Sequence, residues 1–313
     1  MAMAIIFAAI SPIFLLIIAG NGLRRLPVFE PGLWRGLEQL GFYVLYPVLL
    51  FTTIVRADFS GLALGPAMLV LAIAWTLVGL AALASWPPLR ARGVSRPTFS
   101  SVFQTATRWN GFIALAVAEE MFSPEGPAMV ALVMAVVIIP LNVAAVTVVA
   151  WFTDSHANPM RTARKVATNP LILATAAALI VRLAPFALPG PVMEALHLVG
   201  RAALGMGLLA IGAGLKITGT GLSASSLWTP TLLKLGALPA LVVGLSLALG
   251  IGSEEIAYLS LCAAVPTAMN GFVLARQMGG DAESYAATVT VQTALSFLTI
   301  PLVLAITVQL TGG

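Results

Sequence analysis

Two short stretches set the same polar pair in apolar surroundings: TRWNGFIALA over residues 107–116 and TAMNGFVLAR over residues 267–276. Asparagine competes for backbone hydrogen bonds and glycine lacks a Cβ, so Asn110-Gly111 and Asn270-Gly271 each weaken a helix from within. The glycine alone costs about 1 kcal/mol relative to alanine. Pro266, just before Asn270, removes a further intrahelical bond. In a bilayer, the N–H and C=O groups freed by such a break need protein or water partners. Where breaks lie near the midplane they commonly form a substrate site, with the half-helix N-terminus presenting partial positive charge to an anion. The competing reading makes both asparagines interhelical glue. Their paired occurrence favours the site.

Arg108 stands two residues before Asn110. A guanidinium inside a bilayer is expensive and should face a partner or a wet cavity, where it could hold a carboxylate through two parallel hydrogen bonds. It could equally bond carbonyls released by the break. Gln104, Thr107, Asn142, Thr267, Gln292, Thr293 and Ser296 supply neutral polar groups on the two helix triplets that hold these breaks. These suit ligand hydrogen bonds or a hard cation such as sodium, although each alone is as well explained by helix packing. Tyr43, Tyr46 and Pro47 are candidates for a wall facing the substrate. Arg201 completes the candidate set, but Glu194, His197 and Arg201 lie at i, i+3 and i+7 on one helical face, so an internal polar stack is its preferred reading. Glu119 and Glu120 are read as solvated residues at a helix end.

Nothing in the chain suggests catalysis. The histidines are His156 and His197, and there is no HExxH, no G-x-S-x-G and no P-loop lysine, so the parts of a hydrolase or an ATP-driven pump are missing. No cofactor or metal is expected, energy must come from gradients, and the coupling ion would be a proton or sodium.

The elements that position these residues follow from composition. Of 313 residues, 59% are hydrophobic and 9% charged, and the mean hydropathy is +1.00. Such a chain belongs in a bilayer. The apolar runs are continuous and lack the strict alternation of a transmembrane β-barrel. They predict helical spans over 3–20, 34–55, 63–85, 99–119, 127–152, 169–187, 191–215, 227–250, 254–275 and 284–309, which makes ten. The formal charge of +4 is scattered through short loops, so no nucleic acid partner is expected. Arg24, Arg25 and Arg35; Arg90, Arg92 and Arg96; Arg161, Arg164 and Lys165; Lys216; and Arg276 follow spans one, three, five, seven and nine. Those loops should face the cytoplasm, with both termini outside. Cys262 is a lone thiol in an apolar run, read as structural.

The asparagine-glycine pairs belong to a longer echo. Asn110-Gly111-Phe112 is followed by Ile139-Pro140-Leu141, and Asn270-Gly271-Phe272 by Ile300-Pro301-Leu302. Ser11-Pro12-Ile13 and Asn169-Pro170-Leu171 open the first and sixth spans; Leu37-Glu38 and Met193-Glu194 open the second and seventh. The chain therefore divides into halves, 1–152 and 168–313. Five spans in each half force the two to insert in opposite senses, an inverted repeat typical of transporters.

The ordered set of NGF and IPL, the Asn169-Pro170 opening, PTAMNGFVLARQMGGD and the closing span through Ser296 and Pro301 resembles the auxin efflux carrier family, which includes bacterial malonate and malate carriers. The resemblance covers nearly the whole chain. It implies an all-α polytopic membrane protein of ten helices in two inverted five-helix repeats, with helices four and nine interrupted and crossing at the site. It also implies a scaffold of helices one, two, six and seven and a transport domain of helices three to five and eight to ten. The chain lacks a proline in helix four and a long central cytoplasmic loop, on which a symmetric crossover and an auxin substrate would rest. The expected activity is secondary transport of small organic anions, mono- or dicarboxylates, by an elevator movement in the inner (plasma) membrane. The partners expected are that anion, the lipid bilayer and, optionally, a second copy in a homodimer. A sodium-coupled symporter of the bile-acid-carrier type is the alternative within transport; a channel or a non-transporting scaffold is the alternative from another class.

Overall fold

A computed structural model describes residues 2–56, 64–153, 168, 170–183, 188–215, 223–269 and 271–312, and its regular structure is helical throughout. Asn169, Asn270 and the loop bases Arg161, Arg164, Lys165 and Lys216 lie outside the described residues. In chain order the helices are α1 (Ala2–Leu23), α2 (Pro31–Leu40), α3 (Tyr46–Arg56), α4 (Leu64–Ala84), α5 (Trp86–Ala91), α6 (Arg96–Thr107), α7 (Gly111–Met121) and α8 (Glu125–Thr153). They continue with α9 (Pro170–Leu183), α10 (Gly190–Gly214), α11 (Ala224–Leu232), α12 (Leu238–Ala248), α13 (Ser253–Ala264), α14 (Gly271–Gln277) and α15 (Ala282–Thr311). A π-turn, Gly41–Leu45, joins α2 to α3, and another, Leu233–Ala237, joins α11 to α12. Helix stands over each apolar run read from the sequence. Among the described residues, six runs are long and apolar enough to cross a membrane: Ile6–Leu23, Gly32–Arg56, Gly65–Ala91, Gly190–Gly214, Ala224–Ala248 and Ala282–Thr311. The protein is a multi-pass membrane protein. The remaining apolar runs are shorter or divided, and two of the divisions carry the candidate site.

Local chemistry sets the helix ends. Ser95 caps α6 by accepting from Thr98 N, with a proline in the first turn. Ser223 caps α11 through Ser226 N, and Asp281 caps α15 through Ser284 N. Each side-chain oxygen satisfies one of the four donors a helix start leaves unbonded. At its other end α15 stops at Gly312 in the left-handed region, φ 76°.

The helices pack in two groups. In the first, α1 lies along α10, α9 lies along α3, and α10 also packs on α3. Small residues permit this: a Cβ on Gly20 would overlap the Leu209 carbonyl, and one on Gly212 the Ile17 carbonyl. Lipid tails are as apolar as leucine, so such close backbone approach, and not apolar burial, holds membrane helices together. The ends are tied too, as Arg24 Nη1 donates to Ala213 O at 2.8 Å and Asn21 Nδ2 to Gly212 O at 3.1 Å. The second group contains α4, α6, α7, α8, α11, α12, α13, α14 and α15. Helices α7, α8 and α15 of this group touch α1, α3 or α10 of the first.

Candidate functional site

Helix is interrupted just before Gly111 and again between Ala264 and Gly271. The first half-helix, α6, ends at Thr107; Arg108 is extended at φ −65°, ψ 157°, and α7 begins at Gly111. Likewise α13 ends at Ala264 with Val265 extended at φ −70°, ψ 150°, and α14 begins at Gly271. Asn110 acts as the cap of α7: its side-chain oxygen accepts from Ile113 N at 3.2 Å. The cap explains the residue type, because a side-chain acceptor at this position replaces the bond the break removes.

The breaks bond to each other. Asn110 N donates to Pro266 O at 3.0 Å. Thr267 Oγ1 donates to Thr105 O at 2.7 Å and lies 3.3 Å from Arg108 O. Thr267 N donates to Gln292 Oε1 at 3.1 Å, while Gln292 Nε2 donates to Thr105 O at 3.0 Å. Trp75 Nε1 on α4 donates to Thr107 O at 2.9 Å, and the Tyr285 hydroxyl on α15 donates to Ala268 O. Carbonyls released by one break are thus met by the other break and by the helices behind it, as low-dielectric surroundings demand. Glycine is required at the second break for room, since a Cβ on Gly271 would overlap the Tyr285 hydroxyl. At the first, a Cβ on Gly111 would come within 2.9 Å of Met134 Sδ.

Arg108 is buried at 7% exposure, and its Nε donates to Gln104 Oε1 at 3.1 Å. That bond turns the Gln104 amide so that Nε2 is left buried without a partner among the described residues, as are Trp109 Nε1 and Thr293 Oγ1. A guanidinium, an amide N–H and an indole N–H are donors with no competing acceptor function, the set a carboxylate uses.

The structure therefore brings together Gln104, Thr107, Arg108, Asn110, Gly111, Pro266, Thr267, Gly271 and Gln292. Thr293 and Ser296 lie on the buried face of α15 beyond Gln292, with Ser296 Oγ donating to Thr293 O at 2.7 Å. Asn142 is half-buried on α8. Two candidates stand apart: Tyr43 is 65% exposed, and Arg201 is exposed on α10. The aromatic facing the first break is Tyr46, whose ring stacks on Phe112 at 3.6 Å between centroids, 24° from parallel. Sequence reasoning missed Trp75 and Trp109. The available signal was chemical, for a buried indole N–H needs an acceptor and here two indoles lie near freed backbone. A hollow lined by Trp86, Pro87, Arg90 and Ala91 lies at the α4–α6 connection and includes none of these residues.

A family model described as membrane transport protein matches residues 5–304. Comparison with curated proteins gives no match.

Proposed function

The chain belongs to the membrane transport protein family, the auxin efflux carrier family whose likeness its motifs carry, and we propose that this transporter moves small organic anions by secondary active transport. The observation that carries the reading is the pair of mutually bonded breaks with Arg108 buried beside them and donors on Gln104 and Trp109 that have no partner among the described residues. A buried guanidinium set beside further N–H donors favours an anionic guest over a cationic one. Asn270 and Gly271 would complete the site from the opposite side.

The same proposal takes the chain as ten spans in two inverted five-helix repeats. Its support is the matched packing of α1 on α10 and α9 on α3, the pairing expected if α9 is the counterpart of α1 and α10 that of α2 and α3. The first group of helices would be the scaffold and the second the moving unit. Movement of the second past the first carries the breaks, and the anion between them, from one side of the membrane to the other. The bias of basic residues in the sequence supports both termini outside, and the proposal takes the membrane to be the inner (plasma) membrane.

A thermal-shift screen of mono- and dicarboxylates, malonate and malate included, against the purified protein tests this reading. Binding raises the melting temperature by mass action. A stabilising carboxylate whose effect vanishes in Arg108→Gln is the expected result, and a screen in which none stabilises the wild type overturns it.

A further inference from the structure

Lys234 is the second residue of the π-turn Leu233–Ala237 and has 0% exposure. Its Nζ stands 5.2 Å from the centroid of the Trp75 ring and has no hydrogen-bond partner among the described residues. An ammonium in such a place is costly, and a side chain so expensive inside a membrane marks function by default. π-turns within helices also gather at functional sites.

Among the described residues, the carboxylates on the helices packed against it all stand in first turns. The π-turn packs against α4, α6, α11, α12, α13 and α15. Helices α4, α11 and α12 carry no charged or titratable side chain. Helix α6 carries Arg96, at its first residue, bonded to the Trp151 and Phe152 carbonyls. Helix α15 has Glu283 in its first turn and Tyr285 bonded to Ala268 O. Helix α13 has Glu254 and Glu255 in its first turn, Tyr258 one turn on, and Cys262. Of all these, Cys262 is a fully buried thiol, which carries no charge while protonated.

Trp75 connects this amine to the candidate site. One face of the ring receives Nζ, and its indole N–H holds Thr107 O, the last helical carbonyl before the first break. Cation–π attraction exists only while the amine is protonated. The charge on Lys234 therefore governs how firmly Trp75 is held, and Trp75 holds the end of the half-helix that presents Arg108.

We propose that Lys234 is a proton-binding site and that the proton it takes crosses the membrane with the organic anion. The Nζ lone pair accepts one proton from water when the moving unit opens to one side, forming an ammonium against the Trp75 ring. The same proton returns to water on the other side, leaving the neutral amine. In the conformation seen here the amine is occluded from solvent. This rests on the reading of the breaks as an anion site, since a carboxylate beside Arg108 stabilises the ammonium through the shared low-dielectric interior. By reciprocity, the proton raises anion affinity by the same factor.

Electrical recordings from proteoliposomes on a solid-supported membrane test it. A jump from pH 8 to pH 6 without any anion should displace charge in the wild type and not in Lys234→Met or Lys234→Arg. Lys234→Met, which removes a buried unpaired amine at similar length, should also melt above the wild type; a merely structural lysine would give a lower melting point. Trp75→Phe keeps the ring and removes the N–H. It should retain the pH-driven displacement while losing the pH dependence of malonate affinity, which in the wild type rises by up to about tenfold for each unit that the pH falls, for one linked proton. Charge displacement that persists in Lys234→Met, or is absent from the wild type, overturns the proton site. A wild type that responds to pH but to none of the carboxylates overturns the anion reading and leaves the proton site standing.

Discussion

The main-chain N–H of Asn110 donates to the main-chain carbonyl of Pro266 at 3.0 Å, which ties the interruption between α6 and α7 directly to the interruption between α13 and α14. Each rod is broken where the other is, and each break supplies the bonds the other lost. The pair behaves as one unit. A change at either break should be felt at both.

Thr267 is the sharpest case. Its hydroxyl serves Thr105 O and Arg108 O across the crossing, and the side chain is fully buried. Thr267→Val keeps the shape, removes the donor that reaches Arg108 O and leaves Thr105 O to Gln292 Nε2 alone, at a cost of roughly 1–3 kcal/mol. Thr267→Ser keeps the donor. Melting curves in detergent should show Val well below wild type and Ser close to it; equal curves would mean that the hydroxyl bonds contribute nothing.

Asn110 should be separable into two roles. Asn110→Ala loses the cap on Ile113 N, worth about 1 kcal/mol, and Asn110→Ser or Asn110→Asp should restore most of that loss in melting temperature. If alanine melts no lower than serine, the side chain is not acting as a cap.

The close approach of α1 and α10 predicts a position-specific result within one helix. Gly20→Ala drives a methyl into the Leu209 backbone, whereas nothing lies within 4 Å of a Cβ on Gly22. Overpacking costs about 1–3 kcal/mol and the backbone cannot step aside cheaply. Gly20→Ala should lower the melting temperature, while Gly22→Ala should leave it unchanged or raise it through helix propensity. Equal effects would contradict the packing of these two helices.

The Tyr46–Phe112 stack spans the two helix groups, from the first residue of α3 to the second of α7. If one group slides past the other, this contact must part in every cycle. A Tyr46→Cys, Phe112→Cys pair joined through two disulfides by a short bis-methanethiosulfonate should halt transport, and a reducing agent should restore it. Cys262 is fully buried and should not compete. Undiminished transport in fully cross-linked protein would exclude the sliding movement.

Much of this was legible in the sequence because a bilayer imposes simple rules. The run 63–85 is helix over Leu64–Ala84, and the asparagine-glycine pair at 110 marks an interruption to within a residue. Residue chemistry alone was enough to select Gln104, Arg108, Thr267 and Gln292 as neighbours. What escaped depended on the third dimension. Of the wall candidates Tyr43 and Tyr46, only Tyr46 faces the first break, since the π-turn Gly41–Leu45 swings the helix face between them. Arg201 shares an apolar helix with buried residues but points outward, and periodicity in an all-apolar span cannot tell a lipid-facing stripe from a buried one. Lys234 lay unremarked within the eighth span, and its meaning comes from Trp75, far away in sequence.

The central claim is that the crossed breaks hold a carboxylate, and the most direct measurement is carboxylate-driven current in proteoliposomes for wild type, Arg108→Ala, Asn110→Ala and Asn270→Ala at matched protein density. We predict a saturable current in the wild type that falls by about tenfold or more in Arg108→Ala, the loss of one charged hydrogen-bonded contact of roughly 1.5–3 kcal/mol, with smaller losses in the two asparagine variants. Currents of wild-type size in all three variants would contradict it.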